Sequence, residues 1–119
     1  MCVSIMDERK IVNGFIRGFR RIMILSLLCQ KPRHGYNLIK EFKRITGKNL
    51  KPSVVYPFLY VLEDKGYLVG TWTKTNKHRI RNYEVTQKGK SLFLSIKIRL
   101  NLIIGRMLLD ILFTDGKNR

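Results

Sequence analysis

Apolar residues along the chain recur with helical spacing in four stretches and with strand spacing in two. Between Ile11 and Cys29, Phe15, Phe19, Ile22, Met23, Leu25, Leu27 and Leu28 form a broad apolar face, with Arg17, Arg20 and Arg21 on a basic side. That pattern predicts an amphipathic first helix, although Gly14 and Gly18 weaken its first turns. Pro32 breaks the chain. Leu38, Phe42 and Ile45 at i, i+4 and i+7 then predict a second helix, from His34-Gly35-Tyr36 to a C-cap at Gly47. A third helix, 53 to 65, buries Val55, Phe58, Leu59 and Leu62. Pro52 suits its start, with Ser53 as N-cap or first-turn residue. Pro57 is tolerable about one turn in, and Gly66 closes the helix.

Two runs rich in Val, Trp, Thr and Tyr follow, Tyr67 to Lys74 and Arg79 to Thr86, and read as a hairpin with a basic tip. Trp72 shares a strand face with Leu68 and Gly70, which predicts that it packs in the core. The last helix, 88 to 113, carries two apolar stripes. Leu92, Ile96, Ile103, Met107 and Ile111 mark one; Leu94, Ile98, Leu102 and Leu109 mark the other. A small domain covers only one such face, so the second calls for a partner, and another copy of the helix is the simplest. Lys97, Arg99, Asn101, Arg106 and Asp110 interrupt the run and argue against a membrane span.

Charge sharpens the picture. Lys and Arg number 24 against 8 Asp and Glu, a formal net charge of +16 on 119 residues. Such self-repulsion points to a polyanionic partner. The 45% apolar share supports one folded domain. Two cysteines, Cys2 and Cys29, form neither a metal spacing nor a disulfide framework, and Cys29 reads as a small core residue. There is no His, Cys or carboxylate cluster with ligand spacing and no Gly-rich phosphate loop, so neither an enzyme, a metal nor a cofactor is expected. Glu63-Asp64 reads as a solvated pair and His34 as a cap or phosphate contact.

Three helices, a basic hairpin and a long terminal helix make a winged helix-turn-helix, mainly α with a small β wing. Residues 10–87 would form the DNA-binding domain and 88–113 the dimerisation helix, with 1–9 and 114–119 as frayed termini. The helix entering the major groove would be 53 to 65, presenting Ser53, Tyr56 and Tyr60. Lys51, Lys74, Lys77, His78, Arg79 and Arg81 would address phosphates or a minor groove. Leu94, Ile98, Leu102 and Leu109 would hold a homodimer. Two rivals stay open: a sequence-indifferent architectural nucleic-acid binder, which high charge favours, and a protein-interaction winged helix.

The residues also resemble the PadR family of transcriptional regulators. The likeness runs through Ile24-Leu25-Ser26-Leu27-Leu28 and Pro32-Arg33-His34-Gly35-Tyr36. It continues in Pro52-Ser53-Val54-Val55-Tyr56-Pro57-Phe58-Leu59 and Leu62-Glu63-Asp64-Lys65-Gly66-Tyr67-Leu68, and ends at Arg81-Asn82-Tyr83-Glu84-Val85-Thr86-Gln87-Lys88-Gly89. The resemblance implies a homodimeric winged-helix regulator, usually a repressor, with Tyr36, Ser53 and Tyr56 facing double-stranded DNA and a wing at 74 to 81; nothing in the sequence points to export, so the cytoplasm is the expected location. Ser53-Val54 stands where the family usually has Gly-Thr, so a threonine hydroxyl is lost from the reading helix and no operator carries over. Many members release DNA when a small aromatic or drug-like molecule binds. Drug-binding members of the short branch stack it on a tryptophan in the terminal helix; Phe93 and Phe113 are the only aromatics there, so a small-molecule effector is not expected.

Overall fold

The computed structural model describes residues 7–75 and 78–117. Its elements run α1 (Glu8–Gln30), β1 (Arg33–His34), α2 (Gly35–Thr46), α3 (Pro52–Asp64), β2 (Leu68–Thr75), β3 (His78–Val85) and α4 (Gln87–Lys117). Of the segments expected to fray, residues 1–6, 118 and 119 lie outside the described residues.

α1 starts earlier than its apolar pattern suggests because Asp7 caps it, its side chain accepting the Lys10 amide at 2.9 Å. Its second half enters the core through Ile24, Leu25, Leu27 and Leu28, and of the first half Ile16 packs against it. The broad apolar face expected from residue 15 onward is therefore only half used. Ile11, Val12 and Phe15 face solvent.

His34 caps α2, its Nδ1 accepting the Asn37 amide at 3.2 Å, and Gly47 ends it in the left-handed region at φ 74°. Leu38 and Phe42 are buried, but Ile45 is half exposed in the last turn. α3 begins at Pro52, so Ser53 is a first-turn residue and Lys51 takes the cap position without a side-chain cap bond. Val55, Leu59 and Leu62 close the core, and Gly66, at φ 83°, turns the chain into the hairpin.

The sheet has order β1-β3-β2, antiparallel throughout. β2 and β3 pair from Leu68↔Val85 to Thr75↔His78. β1, a two-residue strand that the sequence did not suggest, pairs Arg33 with Tyr83 and His34 with Asn82. Arg33 is 7% exposed, yet among the described residues no carboxylate pairs with it. It donates instead to the Leu27 carbonyl (2.8 Å), Asn37 Oδ1 (2.6 Å) and Gln30 Oε1 (2.8 Å). A buried cation needs its donors satisfied, and these three acceptors tie the end of α1 to the start of α2.

Thr86 caps α4, its hydroxyl accepting the Gly89 amide at 3.1 Å and donating to the Gly66 carbonyl at 2.6 Å. A Cβ on Gly89 would run into the Tyr67 carbonyl and the Val85 side chain, so the helix leaves the hairpin through a gap that admits only glycine. α4 packs on the core through Leu92, Phe93 and Ile96, then projects away from it. At about 1.5 Å per residue its 31 residues account for most of the 63 Å long axis.

Candidate nucleic-acid interface

The N-terminal ends of α2 and α3 converge at one edge of the molecule, with the hairpin beside them. Between them lies an open groove of about 880 Å³. Tyr36 and Tyr56 form one wall; Trp72, His78, Arg79 and Arg81 form the other.

Two motifs that are separate in sequence meet on the first wall. A Cβ built on Gly35 would stand 2.5 Å from the Tyr56 ring, so the ring lies directly on the glycine backbone. Tyr56 is nonetheless 45% exposed, although its hydroxyl edge lies against Gly35 of α2. Tyr60, one turn on, and Ser53, one turn before, share its side of α3 and are exposed. Lys51 is exposed at the head of the helix.

The second wall is built on the Trp72 side of the hairpin. Here the structure corrects the sequence reading. Trp72 does share a face with Leu68 and Gly70, but it is 56% exposed rather than core. α3 covers that face only as far as Gly70, whose amide donates to Glu63 Oε2 at 3.3 Å. Beyond it, Trp72 pairs across the ladder with Arg81 and stacks against guanidinium groups: Arg79 at 4.7 Å and Arg81 at 5.2 Å from the ring centroid.

Arg81 is not a loose cation. Its guanidinium donates to Glu63, and that bond holds its pKa above the ordinary arginine value. Glu63 is thereby a working part of the site and not the solvated residue its place at a helix end suggested. Helix period alone could not show which way it points. Lys74, His78 and Arg79 are exposed along the outer hairpin, whereas Lys77 lies outside the described residues.

The dimerisation candidates Leu94, Ile98, Leu102 and Leu109 are all exposed along one side of α4. Ile103, Met107, Leu108, Ile111, Leu112 and Phe113 are exposed as well, so apolar surface extends well beyond one stripe. No described helix is long and apolar enough to cross a membrane. Among the described residues no group of three or more His, Cys, Asp or Glu side chains could hold a metal ion.

Residues 24–94, more than half of the chain, match the transcriptional regulator PadR-like family model. The transcriptional regulator YqjI of Escherichia coli K12 is 38% identical over 56 residues, which are 45% of this chain and 27% of that protein. The chain thus spans about a quarter of that curated relative. Among solved structures, a PadR family transcription regulator from hypervirulent Clostridium difficile R20291 is 27% identical at TM-score 0.64, covering 79% of this chain and 98% of the other. A PadR family regulator from Eggerthella lenta reaches TM-score 0.71 at 23% identity, covering 84% and 90%, a likeness of fold.

Proposed function

Because the chain belongs to the PadR-like family of transcriptional regulators, a membership that implies DNA binding, we propose that it acts as a sequence-specific homodimeric repressor. α3 enters the major groove with Ser53, Tyr56 and Tyr60 toward the bases. The wing lies on the backbone or in the minor groove, with Tyr36 and Lys51 on adjoining phosphates. The observation that carries this reading is the shared groove: the polar edge of α3 and the cationic wing open on the same side, on a chain of net charge +16.

The two halves of the interface divide the task. Hydroxyl groups on α3 can donate to or accept from base edges, which a purely basic helix could not do selectively. Lys74, His78 and Arg79 supply charge that any sequence would attract. Arg79 carries more than charge, because Trp72 behind it restricts where its guanidinium can go. Arg81, neutralised by Glu63, supports this arrangement more than it contacts phosphate.

A second copy is needed for two reasons. One reading helix covers too few base pairs for operator-level specificity, and the exposed leucines and isoleucines of α4 need cover. Pairing through Leu94, Ile98, Leu102 and Leu109 places two α3 helices on one face, suited to half-sites about one turn, roughly 34 Å, apart. Occupancy alone is enough to block a promoter, so repression is the mode we assign.

Selection of bound duplexes from a random library at about 150 mM salt, with competitor DNA, tests this reading. A two-fold motif with half-sites about 10 base pairs apart is the expected result. A featureless pool bound with a steep salt slope would replace it with the architectural reading that the charge also favours.

A further inference from the structure

The first turn of α3 lies between two grooves, of which the wing groove is one. On its other side α1 passes the 47–51 loop and encloses a hollow of about 570 Å³. Arg17 and Arg20 of α1 face Lys48 and Lys51 across it, over a floor that includes Phe42 and Leu50. None of the four cations forms an ion pair with a described residue. Asp7 and Glu8 line a neighbouring hollow that shares Asn13 and Lys48, but the Asp7 carboxylate is engaged in capping α1.

Three features make this hollow more than a stretch of solvated surface. Four like charges gathered around one cavity repel one another, and a bound anion relieves that repulsion. The hollow adjoins the start of α3, where Lys51 supplies no side-chain cap, so the positive end of the helix adds to the field. Asn13 lines it as well, and its Oδ1 is the one buried side-chain polar atom without a partner among the described residues. At 3.6 residues per turn Arg17 and Arg20 lie opposite the apolar stripe of Ile11, Phe15 and Phe19. A second copy covering that stripe leaves the hollow open.

We infer that this hollow is a phosphate-binding site formed by Arg17, Arg20, Lys48 and Lys51. The inference rests on the reading that α3 and the wing bind DNA. A duplex seated on α3 brings its backbone to both flanks of the helix, so the wing takes phosphates on one side and α1 on the other. A free phosphate compound shares the chemistry.

The test compares the salt dependence of duplex binding by the full chain with that of R17A/R20A, R17K/R20K and K31A/K90A. The last removes the same charge from residues lining neither groove. Log affinity against log salt should lose about 0.9 in slope for each phosphate contact removed in R17A/R20A. R17K/R20K and K31A/K90A should keep the wild-type slope. Titration with inorganic pyrophosphate in the absence of DNA separates the sources: heat that saturates for wild type but not for R17A/R20A, with an unchanged DNA slope, assigns the site to a free phosphate compound. An unchanged slope with no saturable heat overturns the site. R79A and Y56A, measured alongside, report on the wing and α3; binding insensitive to both would sink the underlying DNA reading independently.

Discussion

Arg81 donates to the Glu63 carboxylate across the joint between α3 and the hairpin, and the same carboxylate oxygen accepts the Gly70 amide. Both side chains are 27% exposed, so solvent partly screens the pair. Its consequence is geometric. A reading helix and a wing can engage one duplex only at a set mutual angle, and Glu63 is the side chain that spans them.

Glu63→Ala should therefore separate affinity from stability. We expect little change in unfolding free energy, because solvent screens the pair, with DNA affinity down several-fold. The chain has one tryptophan, so emission from Trp72 reports directly on the release of Arg81. Unchanged affinity and unchanged emission would mean that the wing is oriented by the ladder alone.

Gly35→Ala introduces a methyl group where the Tyr56 ring already lies. Overpacking of this kind costs about 1–3 kcal/mol. Tyr56→Ala in the same chain should recover most of it, giving a coupling energy well outside additivity in a double-mutant cycle by urea denaturation. Additive losses would show that the glycine is required for another reason.

Arg33→Met removes the donor from three acceptors, including the Leu27 carbonyl at the end of α1. Leaving buried acceptors unpaired should cost about 2–3 kcal/mol. Arg33→Lys should rescue little of it, since an ammonium group cannot reach three separated acceptors as a planar guanidinium does. The midpoint of chemical unfolding, at constant m, is the readout.

Leu102→Asp and Leu109→Asp place charges on the exposed side of α4 without touching the domain core. The expected outcome is a monomer by light scattering, with an unaltered helical spectrum and operator affinity reduced at least a hundredfold. A variant that remains dimeric would place the interface elsewhere.

Burial pushes the Cys29 thiol above its ordinary value, against the opposing pull of Lys90 and Lys97. In a Cys2→Ser background, which leaves Cys29 as the one thiol, the folded protein should therefore react slowly with a thiol reagent at pH 7, and quickly once unfolded. The raised value also sets a sign: the stability it contributes is complete below the unfolded thiol pKa and falls away as pH rises through the folded one. Labelling at equal rates in both states would contradict the burial.

Much of the fold is legible in one dimension because its determinants are local. Gly47 and Gly66 mark helix ends by their conformational freedom, Pro52 marks a helix start, and the 3.6- and 2-residue periods separate helices from the hairpin. The polar edge of α3 and the excess of positive charge are likewise properties of the chain itself. Which side chains meet is another matter. Arg33 looks like any surface arginine until three acceptors from different turns surround it. Glu63 is a solvated acid until the hairpin folds back on it, and Trp72 is core until α3 stops short of it. Periodicity assigns a residue to a face. Only tertiary structure decides how far the neighbouring element extends over that face, because the answer lies in the lengths and angles of elements remote in sequence.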